Sequence, residues 1–203
     1  MYSDDESSSP KELSSVREQQ IQRLCTCLFP GYMQLTEQEF AAQVPVLGPN
    51  VLNSLKEGEN LLLVIPENLI EPIEQMRLAS IRMLIDLLDK KEDRTYPSDP
   101  YWIRWRLLGS ETTGSGECIY DPHPPARSLS IIEGVHLAIQ YPRLLQNLAL
   151  ALSSTSLPKG HTGILCHWRG RPQISTICRA AANRYAAMGG QLIIVRELPE
   201  EGV

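Results

Sequence analysis

Thr162-Gly163-Ile164-Leu165-Cys166-His167-Trp168 and Gln173-Ile174-Ser175-Thr176-Ile177-Cys178, joined by Arg169-Gly170-Arg171-Pro172, decide the fold class. Each run is short, rich in β-branched and aromatic residues, and bounded by turn residues, so two strands connected by a hairpin turn are expected. A third run, Gln191 to Glu197, reads as another strand. Between them Ala180 to Met188 is alanine-rich and predicts a short helix ended by Gly189-Gly190. Strands therefore cluster at the end of the chain, whereas the patterns upstream are mostly helical. Regular strand–helix alternation is missing, which points to an α+β domain with a mostly antiparallel or mixed sheet rather than a doubly wound one.

Working back, Ser130-Ile131-Ile132-Glu133 has the form of a capping box. Ile131, Val135, Ala138 and Ile139 would be the buried stripe of its helix. Pro142 starts a second stripe, Leu144, Leu145, Leu148 and Leu152, completing a central helix pair. Ser153 to Ser156 reads as a polar linker. Gly109 to Pro125 is loop. Tyr101 to Leu108 reads as a strand with Trp102, Arg104 and Arg106 on one side and Ile103 and Trp105 on the other, as in a sheet with one packed and one solvated face.

The first half carries the N-terminal helices. Ser9-Pro10-Lys11-Glu12 predicts a capped start, with Leu13, Val16, Ile21, Leu24 and Leu28 on one stripe and Pro30-Gly31 as the stop. Thr36 and Glu39 form a further capping box, with Leu35 placed to staple onto Phe40. Pro49 to Lys56 suggests one more turn of helix before Gly58. Leu61-Leu62-Leu63-Val64-Ile65 has the length and flanks of a strand buried on both faces. Ile73 to Asp89 fits either one helix or a strand around Met76 to Met83 followed by a short helix. Met1 to Ser9 carries three acids among serines and reads as a disordered acidic tail, leaving residues 10–203 as one α+β domain.

Composition limits the function classes. The chain has 203 residues, 42% hydrophobic and 21% charged, with net charge −5. That is ordinary for a globular chain able to bury one full core. No apolar run approaches the ~20 residues of a membrane span, and the acidic start is no signal peptide. The charge argues against general coating of nucleic acid, though it leaves room for a local basic patch. Five cysteines, Cys25, Cys27, Cys118, Cys166 and Cys178, without an export signal suit a reducing, cytoplasmic compartment.

No nucleophile elbow, paired-carboxylate motif or phosphate loop stands out. Gly109, Gly114 and Gly116 lack the lysine and following helix a phosphate loop needs. Neighbouring Cys166 and His167 would face opposite sides of a strand, so no metal site is expected, and no cofactor. Glu133 and His136 lie one helical turn apart and form a candidate acid–base pair, against the plainer reading of solvated residues off the apolar stripe. Arg169 and Arg171 on the hairpin, with Arg127 before the Ser130 cap, form a candidate anion-binding set, against the plainer reading of a solvated turn. Arg104 and Arg106 beside Trp102 and Trp105 resemble the basic–aromatic mixture that binds single-stranded nucleic acid, against the reading that the tryptophans are core.

Several segments are also familiar together. Val64-Ile65-Pro66 with Glu71 to Met76, Pro100-Tyr101-Trp102, Arg127 to Gly134 with Tyr141-Pro142 beyond it, and Arg169-Gly170-Arg171-Pro172 occur in this order. Over residues 15 to 190 the chain resembles an uncharacterised bacterial family of unknown activity, in which an arginine-serine-leucine-threonine stretch opens a glutamate-glycine helix. It departs from that family at Ile174 to Gly189, where the family is rich in glycine and tryptophan. The resemblance implies a bacterial, soluble single domain and carries over no site residue.

The reading that follows is a binding or regulatory module without catalysis, its partner a small anionic ligand or a protein. The alternatives are an enzyme with a site near Glu133, His136 and the Arg169–Pro172 turn, and single-stranded nucleic-acid binding through Trp102 to Arg106.

Overall fold

The computed structural model describes residues 10–84, 90–92, 95–108, 128–146, 148–178 and 192–197. The expected acidic tail, the loop expected over Gly109 to Pro125, Arg127, Cys118 and the helix expected over Ala180 to Met188 lie outside the described residues.

Five helices come before the central region: α1 (Pro10–Thr26), α2 (Phe29–Tyr32), α3 (Glu37–Gln43), α4 (Pro49–Asn53) and α5 (Pro72–Leu78). Pro30 does not stop α1. The helix ends at Thr26, Leu28 adopts a left-handed φ of 63°, and Pro30 sits in the first turn of α2, where its missing N–H costs nothing. Leu28 accordingly leaves the apolar stripe and is 67% exposed. At α3 the Thr36–Glu39 capping box forms as read, and Phe40 is fully buried.

Of the stretch Ile73 to Asp89, residues 85–89 lie outside the described residues, and over Ile73 to Leu84 the helix ends at Leu78. α5 closes in a Schellman motif: Ile81 N–H donates to Met76 O (2.8 Å) and Ser80 N–H to Arg77 O (3.1 Å), with Ser80 left-handed at φ 54°. Ile81 and Met76 are both buried, the apolar contact that accompanies this motif. The two-residue strand β2 (Arg82–Met83) follows directly.

Strands β1 (Asn60–Val64), β4 (Tyr101–Leu108) and β8 (Leu192–Glu197) form one antiparallel sheet with β4 in the middle. A second, mixed sheet has the order β2-β7-β6-β5-β3, from β3 (Lys91–Glu92), β5 (Leu150–Leu157), β6 (His161–Trp168) and β7 (Arg171–Cys178). Only β2 runs parallel to its neighbour. The architecture is α+β. The hairpin is a two-residue one: Trp168 pairs with Arg171, and Arg169 (φ 49°) and Gly170 (φ 82°) make the turn. Positive φ at both central residues is what a type I′ turn requires.

The second helix of the expected central pair does not form. α6 (Ile131–Gln140) is followed by a 3₁₀ turn at Leu144–Gln146 and then by β5. Leu144, Leu148 and Leu152 are four apart and mimic a helical stripe, but Leu150 and Leu152 alternate into the core and pair with Leu165 and Gly163 of β6. Tertiary pairing wins over local spacing here. The supposed linker Ser153 to Ser156 belongs to β5, at an irregularity in the register between Leu152 and Ser156.

The first sheet separates two cores. Leu61, Leu63, Ile65 and Trp102 pack with Leu24, Phe29 and Phe40 of the N-terminal helices. Leu62, Val64, Ile103 and Trp105 pack with α6 and with Leu150, Leu152, Leu165 and Ile174 of the second sheet. The expected solvated face of β4 is therefore corrected at the tryptophans: Trp102 and Trp105 are 4% and 3% exposed, one in each core.

Candidate functional site

β1 is an edge strand, so alternate backbone groups on its open side need partners. Side chains supply them. Gln20 of α1 donates to Leu61 O (2.9 Å) and accepts from Leu63 N–H (2.8 Å), standing in for a neighbouring strand. The Tyr141 hydroxyl also donates to Leu61 O (2.6 Å). Ile65 N–H donates to His136 Nε2 (3.1 Å), and Gln75 Nε2 donates to Ile65 O (3.0 Å) and Ile70 O (2.8 Å). Gln20, Gln75 and His136 are all buried. The sequence reading missed the two glutamines. Gln20 lies four residues before Leu24 on the buried stripe, and a polar residue on an apolar stripe was the available signal.

His136 and Glu133 do not face solvent, which corrects the expectation for that side of the helix. Both are fully buried, because α6 is enclosed on all sides between the N-terminal helices, β1 and the second sheet. A helix apolar nearly all round is a buried one. Gly134 and Gly163 allow the enclosure: a Cβ at Gly134 would stand 2.6 Å from Leu152 Cδ2, and one at Gly163 3.2 Å from Ile131.

The two side chains turn to different tasks. Glu133 closes the capping box with Ser130, accepting from Ser130 N–H (2.9 Å), and one oxygen lies 3.5 Å from the Tyr101 hydroxyl. His136 Nε2 meets Ile65 N–H and, at 2.9 Å, Gln75 Oε1, while its Nδ1 has no hydrogen-bond partner. Burial holds the imidazole at a pKa of about 3, so the ring is neutral at pH 7.

Of the candidate anion-binding set, Arg169 and Arg171 fall at the β6–β7 hairpin. Arg127 lies outside the described residues. The amides opening α6 are taken by the protein itself: Ile131 N–H donates to Thr155 Oγ1 (3.0 Å) and Glu133 N–H to Ser130 Oγ (3.2 Å). The misread linker residues thus seat the helix, since Ser154 Oγ also donates to Ser128 O (2.7 Å). The Thr155 carbonyl accepts from Thr162 at the start of β6. The hairpin tip is six residues further along that strand, roughly 20 Å away. Arg169 and Arg171 therefore do not share a site with the N-terminus of α6.

The β6–β7 hairpin carries its candidate residues in solvent. Its core face carries Gly163, Leu165 and Ile174; alternation puts Ile164, Cys166 and Trp168 of β6 opposite Ser175, Gln173 and Arg171 of β7 on the face turned away from α6. Trp168 is 57% exposed, and the Arg169 guanidinium carbon lies 6.0 Å from its ring centroid, within the range of a cation–π contact. Arg169 and Arg171 are exposed and make no ion pair among the described residues.

The Trp102–Arg106 strand offers no such surface. Trp102 Nε1 donates to Pro45 O (3.0 Å), and Arg104 donates to Ser54 O (3.1 Å) and Ser54 Oγ (2.6 Å). Both indoles are enclosed, so neither presents a face to solvent on which a base could stack. Cys25, Cys27, Cys166 and Cys178 are free thiols, and burial raises the pKa of the first three. No group of three or more metal-binding side chains occurs among the described residues, and no helix among them is long and apolar enough to cross a membrane. Comparison with family models, with curated proteins and with solved structures gives no match for the chain.

Proposed function

We propose that the protein is a non-catalytic binding module that meets its partner through the β6–β7 hairpin. The observation that carries this reading is a contrast. Glu133 and His136 are buried and committed to the backbone of the fold, whereas Trp168, Arg169 and Arg171 stand together in solvent. Tryptophan and arginine are the residue types most enriched at binding hot spots. A bacterial cytoplasm is the compartment this reading assumes, and the free thiols support its reducing character.

Hydrogen exchange of the full chain in fractionated cell extract tests it. The expected result is slowed exchange at amides 166–173, lost in a Trp168→Ala/Arg171→Gln variant whose melting temperature is unchanged. Protection confined to other elements, or turnover of a metabolite that the double variant leaves intact, would replace this reading with another.

A further inference from the structure

The hairpin belongs to a long stretch without acids. From Gly134 to Arg196 there are seven arginines and lysines and no aspartate or glutamate, in a chain of net charge −5. β5, β6 and β7 all fall within it. In the described part, Arg143, Lys159, Arg169 and Arg171 are all exposed. The molecule is acidic as a whole, yet β5, β6, β7 and the turns joining them carry basic side chains and no acid, and among the described residues of these three strands the only large exposed apolar side chain is Trp168. A partner for this face should be a polyanion that also presents flat apolar surfaces.

We propose that the outer face of the β6–β7 hairpin binds a single strand of nucleic acid, one base stacking on Trp168 and the flanking phosphates meeting Arg169 and Arg171. The inference rests on the binding-module reading and names the partner class of that same surface. Arg171 is the cross-strand partner of Trp168 and Arg169 its chain neighbour, so both guanidiniums lie beside the indole, roughly 5 Å away at the level of Cβ for the paired residue. Base–aromatic stacking with backbone neutralisation is how sequence-tolerant single-strand binders work. An acidic peptide would satisfy the guanidiniums but leave the indole without a flat partner. An anionic membrane would need more apolar surface than one indole.

The experiment measures binding of a labelled 20-mer of thymidylate to the full chain, with tryptophan emission followed in parallel. Trp102 and Trp105 are buried, so quenching should reach only the Trp168 share of the emission. The expected results are saturable binding, about tenfold weaker in Trp168→Ala and largely restored in Trp168→Phe. Removing one phosphate contact in Arg171→Gln should flatten the slope of log K against log salt by about 0.7. No binding at low salt, or binding indifferent to Trp168→Ala, overturns the proposal. So does tighter, Trp168-dependent binding of poly-glutamate or of vesicles containing phosphatidylglycerol. If extract protects the hairpin while the oligonucleotide does not bind, the nucleic-acid assignment falls and the binding-module reading survives.

Discussion

At the scale of single residues, His136 and Ser80 are each held by the fold against their own preference. His136 is neutral because burial keeps its pKa near 3, against 6.5 for an exposed imidazole. The unfolded chain therefore binds a proton between those values that the native chain refuses. Stability is whole above about pH 6.5 and falls as pH drops toward 3, with a slope of up to about 1.4 kcal/mol per pH unit. Urea midpoints measured from pH 8 to 4 should show this decline, and His136→Leu should be less stable at pH 8 but flatter across the range. Equal slopes in the two proteins would assign the acid sensitivity to other groups. Ser80 is the second case. It occupies the left-handed position that closes α5, at φ 54°, where a side chain costs roughly 1 kcal/mol that glycine avoids. Ser80→Gly should raise stability by about 0.5–1 kcal/mol, read as a shift in denaturation midpoint with an unchanged slope. A loss would mean that the Ser80 side chain contributes more than its backbone strain removes.

At the scale of elements, the edge of β1 shows why parts of the fold were legible and others were not. The capping boxes at Thr36 and Ser130 were readable because a cap is local: its partners lie within three residues. Leu61 to Ile65 was readable as a strand because five apolar residues between polar flanks suit burial on both faces. The partners of its open edge were not readable, since Gln20 is 41 and 43 residues from the groups it bonds and His136 is 71 from Ile65. β5 was misread for a related reason. Its leucines have helical spacing, and only the pairing with β6 reveals the strand. The edge also makes a quantitative prediction. Gln20→Leu keeps the volume and apolar packing but strands the Leu63 N–H in the interior, at a cost of about 1–3 kcal/mol. Gln19→Leu, one residue away on the exposed side of α1, should change stability by no more than about 0.5 kcal/mol. Similar effects at both positions would show that Gln20 is not the neighbour β1 relies on.

At the scale of the whole molecule, the first sheet is a shared wall, and that decides whether the two cores melt together. Trp102 faces the core of the N-terminal helices, and Trp105 faces the core of α6 and the mixed sheet. They are three residues apart on β4, so neither core can lose its wall without exposing the other. The side chains that satisfy β1 tie the same elements together, Gln20 coming from α1 and His136 from α6, and Arg23 of α1 donates directly to Gln140 O at the end of α6. Cooperative unfolding in one step follows for a domain so joined. Two variants make it measurable, one retaining Trp102 alone and one Trp105 alone, the other tryptophans replaced by phenylalanine. Within each variant the fluorescence midpoint should coincide with the loss of far-ultraviolet circular dichroism. Adding Phe40→Ala, which opens a cavity only in the core of the N-terminal helices, should cost about 3–5 kcal/mol. The Trp105 probe in the opposite core should then shift as far as Trp102 does. If Phe40→Ala moves the Trp102 transition and leaves Trp105 in place, the wall separates two independent folding units and the hydrogen bonds joining α1, β1 and α6 do not couple them.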